Sequence, residues 1–181
     1  GHAALVRCVF RLGGMRSAIL LQPSLKSRWT PIHVAARHGH SNSLQELLCG
    51  EITTVMSDLI TSVLLQDADG WTALHHAIYA KSLECVKLLT SFEGIASIRS
   101  STGLSPLQLS SWLGYYTITK HLISQDPSRE DIIAAAQVAT RNNHRAIVSL
   151  FKVCGMLSDD VICFEVHASP FPGRVEDYVL G

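Results

Sequence analysis

Residues 67–77 read DADGWTALHHA, which is a turn followed by the start of a helix. Asp67 and Gly70 are residue types that tight turns favour, Gly because it tolerates a left-handed backbone. Thr72 is a good N-cap, since its side-chain oxygen can accept a hydrogen bond from a free N–H group in the first helical turn. The apolar residues of CVKLL, residues 85–89, then predict a second helix in the same unit.

This unit of a turn and two helices recurs along the chain. TPIHVAA begins at Thr30, and SPLQLS begins at Ser105. The interval from Thr72 to Ser105 is 33 residues (105 − 72), and the interval from Thr30 to Thr72 is 42 residues (72 − 30). A period of this length is typical of repeat proteins, in which each unit buries its apolar face against the next.

The segments resemble ankyrin repeats, whose T-P-L-H-x-A pattern returns about every 33 residues. The resemblance implies an all-α solenoid of helix-turn-helix units with connecting β-hairpin loops, in one domain over residues 1–155. Clear repeats are expected at about 29–65, 67–99 and 100–125, and degenerate capping repeats at about 3–22 and 131–153. Atypical ends are expected because the two ends of a stack lack a neighbour.

Individual positions of the motif carry further expectations. Gly39 and Gly114 lie where the turn between two helices needs a permissive backbone. In the last unit Asn142 and Asn143 lie at this turn, where Asn is a reasonable replacement for Gly. The motif histidines, His33 and His75, usually bond neighbouring loops in this family, so we expect a structural role for them.

Two segments depart from the repeat. Residues 51–65 contain most of the extra length of the first interval and have apolar residues at helical spacing, which predicts a longer second helix or a helical turn in the loop. A tolerated surface insertion is the favoured interpretation, with a dedicated binding element as the alternative. The non-repeat tail, residues 156–181, contains two strand-like runs, which indicate either a hairpin packed on the last repeat or the start of a following domain.

Composition excludes several functional classes. Lys+Arg and Asp+Glu are both 15, so we expect neither nucleic-acid binding nor attraction to an anionic membrane. No apolar run is long enough to insert into a membrane. The cysteines are odd in number and widely spaced, which argues against disulfides and favours the cytoplasm, or else the nucleus. They are Cys8, Cys49, Cys85, Cys154 and Cys163.

Catalytic and metal-binding patterns are missing from the sequence. His38 and His40 have no cysteine or carboxylate nearby in sequence, and no glycine-rich phosphate loop occurs. We therefore expect neither a metal nor a cofactor, and we do not expect an enzyme.

The resemblance also indicates where a partner would bind, because ankyrin proteins usually use the concave face formed by the hairpin loops and the first helices. Carried over by motif position, the candidate residues are Trp29, Arg37, His38, Trp71, Tyr79, Leu104, Trp112 and Leu113. All three tryptophans of the chain belong to this set. We expect these side chains to be solvent-accessible and to form an apolar groove, since exposed aromatic residues often mark interaction surfaces.

The sequence therefore predicts a protein–protein interaction module, an adaptor or scaffold that binds a peptide or a folded partner. The alternative is a regulatory or targeting ankyrin region of a larger multidomain protein, whose activity lies outside this chain.

Overall fold

The computed structural model describes residues 24, 26–49 and 56–155, with the side chains of residues 49 and 56–59 excepted. Within these ranges the chain is helical and contains no strand. The expected first capping repeat, residues 3–22, and the expected tail, residues 156–181, lie outside the described residues.

The helices alternate between two layers. Their bounds are α1 Pro31–Arg37, α2 Ser41–Cys49, α3 Met56–Leu64, α4 Ala73–Tyr79, α5 Leu83–Thr90, α6 Pro106–Trp112, α7 Tyr116–Ile123, α8 Arg129–Arg141 and α9 Arg145–Val153. A short 3₁₀ turn occupies Ile95–Ser97. Helices α1, α4, α6 and α8 pack side by side as the first layer, and α2, α5, α7 and α9 pack side by side as the second. This is the solenoid that the motif predicts.

One backbone hydrogen bond closes the turn in each of four helix pairs and sets them in a common register. The bonds are His40 N to Ala35 O, Ser82 N to Ala77 O, Tyr115 N to Ser110 O, and His144 N to Ala139 O, at 2.9–3.1 Å. The left-handed residues of these turns are Gly39, Lys81, Gly114 and Asn143, with φ of 66, 57, 75 and 59°. The expectations for Gly39 and Gly114 are confirmed. Of the two asparagines expected at the last turn, Asn143 adopts the left-handed backbone and Asn142 does not, whereas Lys81 adopts it without being a glycine.

The loops before α4 and α6 fold back as tight hairpins. Asp67 N donates to Trp71 O at 2.9 Å, and the next loop is closed by the same kind of bond to the carbonyl of Leu104. Neighbouring hairpins also touch, since Ser101 N donates to Asp69 O at 3.3 Å. Gly70 is required at this contact because a Cβ there would collide with the backbone nitrogen of Ser101.

Within the insertion after α2, residues Met56–Leu64 form the helix α3. Val63 is fully buried, whereas Ile60 is exposed. The helix therefore packs on the stack by one side. Residues 50–55, which precede it, lie outside the described residues.

Candidate functional site

The motif histidines tie each first helix to the hairpin that follows. His33 Nδ1 accepts from the backbone N–H of Thr30 at 3.2 Å, so Nε2 carries the ring hydrogen and donates to Leu65 O at 3.1 Å. His75 repeats the arrangement with the N–H of Thr72 at 3.3 Å and with the next hairpin, again at 3.1 Å. Both rings thus hold consecutive units together.

Burial makes these two histidines neutral. It lowers the pKa of His33 to about 4, and the neighbouring His76 lowers it further. Burial likewise lowers the pKa of His75 to about 4, although its bond to the Leu104 carbonyl opposes the change. Neither ring is therefore a cation available to a ligand near neutral pH.

A buried carboxylate organises the turn before α4. Asp67 Oδ1 accepts from the backbone N–H groups of Asp69 at 3.0 Å and of Trp71 at 2.8 Å. Its other oxygen, Oδ2, accepts from His76 Nε2 at 2.8 Å. Burial alone would raise the pKa of Asp67, but the hydrogen bonds from His76 and from the Trp71 N–H outweigh it and hold that pKa below its usual value. The Asp67–His76 contact therefore fixes the hairpin against the helix.

Aromatic rings gather around His76. Its ring centroid lies 4.9 Å from that of Trp29 and 5.3 Å from that of Trp71. Trp71 in turn lies 6.2 Å from Tyr79, and the guanidinium carbon of Arg37 lies 3.9 Å above the Tyr79 ring. We call these five residues the aromatic cluster. Four of them belong to the set expected from the sequence, and the fold brings those four together.

Two of the expected residues are not accessible. Trp71 is only 5% exposed, and Leu104 only 2%. The expectation that both are solvent-accessible is wrong. The reason for Trp71 is that the rings of His76 and Tyr79 enclose it, and Leu104 packs its side chain into the core.

The accessible part of the cluster consists of Trp29, Arg37 and Tyr79, each half-buried, and we call it the aromatic rim. His38 is exposed beside it and stacks on His40 at a centroid distance of 5.9 Å. The rim presents aromatic faces and a guanidinium group, which suit binding rather than proton transfer.

Trp112 and Leu113 lie one helix further along the stack, at the end of α6. Both are half-buried and pack against the core. The carbonyl of Trp112 accepts from His144 Nε2 at 3.0 Å, which links α6 to the turn before α9. Because the residues expected between them and the rim are buried, these two residues form a separate patch.

Sequence reasoning missed the role of His76. The available signal was weak: His76 occupies the position held by Val34 in α1 and by Leu109 in α6, so a polar ring replaces an aliphatic side chain there. Its partner Asp67 was interpreted only as a turn residue, a role that the structure confirms.

The described residues offer little for catalysis. They include no group of three or more His, Cys, Asp or Glu residues placed to hold a metal ion. Burial raises the pKa of the Cys85 thiol, which disfavours the nucleophilic thiolate. None of the helices in the same part of the chain is long and apolar enough to cross a membrane.

Comparison with known proteins identifies the repeat. A family model described as ankyrin repeats in three copies matches residues 52–132, and a second, described as ankyrin repeat, matches residues 27–55. Among curated relatives, "Protein fem-1 homolog A-like" of Mus musculus is 33% identical over 103 residues, which are 56% of this chain and 16% of that protein. "Protein phosphatase 1 regulatory subunit 27" of Mus musculus is 39% identical over 61 residues, which are 34% of this chain and 40% of that protein. The chain thus spans less than half the length of either relative.

Proposed function

The chain belongs to the ankyrin-repeat family, whose members generally act as protein–protein interaction modules, and we propose that it binds a protein or peptide partner through the aromatic rim. In this proposal Trp29, Arg37 and Tyr79 contact the partner directly. His38 lies at one end of the contact, and Trp112 with Leu113 would form a second, separate contact further along the stack. The chain would serve as an adaptor or scaffold and would not itself catalyse a reaction.

The observation that carries this proposal is the support beneath the rim. Trp71 and His76 are both buried, and His76 is anchored to Asp67 at 2.8 Å. Above them, Arg37 is already stacked on Tyr79. A partner that docks here meets side chains that are ordered in advance, so binding loses little side-chain entropy. Tyr, Trp and Arg are also the residue types that most often dominate binding energy.

The supporting contacts also indicate what kind of affinity to expect. The rim has a single permanent charge, on Arg37, and its other members are aromatic. Affinity would come mainly from burying aromatic surface and would depend little on salt.

A peptide selected on the whole chain tests the proposal. We would select binders from a random-peptide phage library and measure their affinity for the wild type, for Tyr79→Ala and for Tyr116→Ala. Tyr116 is the matched control, since it is 42% exposed but lies on α7 in the second layer. Loss of a residue that dominates binding costs about 2 kcal/mol or more, so Tyr79→Ala should weaken binding about 30-fold.

The control variant and circular dichroism separate binding from folding. Tyr116→Ala should bind like the wild type, and both variants should keep the helical spectrum. Equal affinities for all three proteins, or a loss only in Tyr116→Ala, would sink the proposal that the rim is the contact surface.

A second candidate is a regulatory or targeting region of a larger protein. One relative is named as a regulatory subunit, and the chain spans only 16–40% of the two relatives described above. The full reading frame of the gene tests this candidate, because it requires a further domain with its own activity. The free thiols of Cys85 and Cys154 favour a cytoplasmic location, which imaging of a tagged full-length protein would test.

A further inference from the structure

Two cationic side chains lie on aromatic rings of the following helix pair. The guanidinium of Arg37, at the end of α1, stacks on Tyr79, with its central carbon 3.9 Å from the ring centroid. The ammonium of Lys81, in the turn after α4, lies 5.3 Å from the ring centroid of Tyr115, again one pair further along. Both rings are half-buried and pack against the core. Each cation therefore has a fixed aromatic support at the surface.

The backbone of Lys81 is unusual for its residue type. In the register set by the shared turn bond, Lys81 corresponds to Gly39, Gly114 and Asn143. All four positions have positive φ, which is 57° at Lys81. This conformation strains a lysine, whereas glycine adopts it readily and asparagine tolerates it. Backbone strain is concentrated at functional sites, which makes the Lys81 side chain a candidate for binding.

Neither cation is neutralised by a carboxylate among the described residues. The first three turns between paired helices contain no Asp or Glu, over residues 37–41, 79–83 and 112–116. The acidic residue that comes soonest after Lys81 is Glu84, and it pairs instead with Lys87 at 3.1 Å. Arg37 also has a buried Nη1 group without a hydrogen-bond partner. Both cations thus keep donors available for an added anionic group.

The two cations belong to turns that touch. Gly39 follows Arg37 by two residues, and a Cβ built there would lie 3.4 Å from Cβ of Ser82, the neighbour of Lys81. Both charges therefore lie along the edge of the stack that the turns form. We call Arg37 and Lys81 with their two tyrosines the cationic edge. It adjoins the aromatic rim, since Arg37 and Tyr79 belong to both.

We propose that the partner carries acidic residues beside its contact with the aromatic rim, and that their carboxylates pair with Arg37 and Lys81. This inference rests on the proposed function, because it assigns the chemistry of the same partner. Hydrogen bonds between such cations and carboxylates are charge-assisted and shorter than neutral ones. At an exposed surface they govern which partner binds, and how fast, more than how tightly. Aromatic burial still supplies most of the affinity.

An acidic protein segment suits this edge better than a nucleic acid does. Phosphate backbones are bound by a clear excess of Lys and Arg, whereas this chain has 15 cationic and 15 acidic residues. Two supported cations in neighbouring turns match a few carboxylates placed close together in one segment. The edge therefore selects for local charge in a partner that the rim already holds.

Selection of peptides on charge-reversed variants tests this pairing. Random phage-displayed peptides are selected on the full chain as wild type, as Lys81→Glu and as Lys120→Glu, and are then sequenced. Lys120 is the matched control, because it is an exposed lysine on α7 in the second layer. Peptides from the wild type and from Lys120→Glu should be enriched in Asp and Glu over the unselected library. Peptides from Lys81→Glu should lose this enrichment and gain Lys and Arg.

Affinities of one selected acidic peptide give the size of the effect. Lys81→Glu should weaken its binding about fivefold at low salt, because repulsion replaces attraction across one exposed pair. The loss should shrink at high salt, which screens such pairs. Replacing the acidic residues of the peptide with Lys should weaken binding to the wild type and restore binding to Lys81→Glu.

The variant Lys81→Gly separates binding from folding. It removes the strained lysine, so it should raise the melting temperature by about 2–4 °C while it loses the preference for acidic peptides. Enrichment in Asp and Glu that persists in Lys81→Gly and in Lys81→Glu would overturn the pairing, whatever the stability of the two variants.

Failure of this inference and failure of the proposed function give different results. Peptides that need Tyr79 but show no acidic enrichment would overturn the carboxylate pairing and leave the rim as the contact surface. Acidic peptides that invert their charge on Lys81→Glu but bind Tyr79→Ala normally would support the pairing and remove the rim. Tight binding of a single-stranded RNA oligonucleotide that Lys81→Glu abolishes would overturn the pairing in favour of a nucleic acid.

Discussion

The central helix pair, α4 and α5, and the last pair, α8 and α9, share one turn geometry but differ in how deeply equivalent side chains are buried. Each turn is closed by the same backbone bond, at 3.1 Å in the central pair and 2.9 Å in the last. Yet Ile78 is fully buried, and its counterpart Thr140 is exposed. The motif therefore sets the conformation of a unit, whereas the neighbouring units set which of its faces are buried.

The two pairs also begin differently. At the start of α4, His75 Nδ1 accepts from the backbone N–H of Thr72, and His75 Nε2 donates to the carbonyl of Leu104 in the following hairpin at 3.1 Å. Helix α8 is capped instead by Ser128, whose side chain accepts from the backbone N–H of Asp131. The carboxylate of Asp131 in turn accepts from Arg99 at 2.7 Å. A neutral buried ring thus holds the central pair in place, and a partly exposed ion pair holds the last. Exposed ion pairs add little stability, so we expect the last pair to be the less stable.

Truncating Ile78 and Thr140, which hold equivalent positions in the central and the last pair, should give the largest difference in the free energy of unfolding. Ile78→Ala removes fully buried methyl groups and should lower the free energy of unfolding by about 2–5 kcal/mol. Thr140→Ala, at the equivalent exposed position, should change it by less than about 0.5 kcal/mol. Urea denaturation followed by circular dichroism measures both. Similar losses in the two variants would mean that the end face is as closely packed as the middle.

Acidification should weaken the first and the central helix pairs next. His33 and His75 have a pKa of about 4 in the folded chain, below the value of 6.5 for an unperturbed ring. Their stabilisation is therefore present in full above pH 6.5 and is lost as the pH falls towards 4, since the unfolded chain binds the protons first. The upper limit is about 3 kcal/mol for each ring.

The variant His75→Gln isolates one of these contributions. Glutamine already takes the motif position in α6, where Gln108 Oε1 accepts from the N–H of Ser105 at 2.9 Å. Denaturation between pH 7 and 4 should show a smaller loss of stability in His75→Gln than in the wild type. An unchanged loss would show that the buried ring does not cause the acid sensitivity.

Substitutions in the turns that join paired helices should produce a smaller difference in stability. Gly114 has φ of 75°, and a Cβ there would lie 2.6 Å from Cε1 of His144. Gly114→Ala should cost about 1–2 kcal/mol from the left-handed backbone alone. Asn143→Gly, in the turn of the last pair, should leave stability nearly unchanged because glycine adopts positive φ readily. Thermal unfolding compares them, and an Asn143→Gly loss as large as that of Gly114→Ala would contradict this reasoning.

The sequence predicts those features that depend on a single unit. Turn glycines, N-caps and the order of helices follow from local residue preferences, and the structure confirms them at Gly39, Thr30 and Ser105. It does not predict burial between units. Trp29 and Trp71 hold the same motif position, but only Trp71 is enclosed, since His76 and Tyr79 pack around it.

The Asp67–His76 contact eluded sequence reasoning for a related reason. It joins a hairpin to a helix across nine positions (76 − 67), and no local preference favours that pairing. Left-handed Lys81 was also missed, because lysine gives no indication of positive φ.

Hydrogen exchange of the full chain, with and without the selected peptide, tests most directly whether the rim binds the partner. We predict that the peptide slows exchange of amides in the hairpin at 67–71 and in the turns at 38–40 and 80–82, beside the rim. Exchange across α9, residues 145–153, should stay the same. Slower exchange confined to α9, or to the second-layer helices α5 and α7, would contradict a partner site on the aromatic rim.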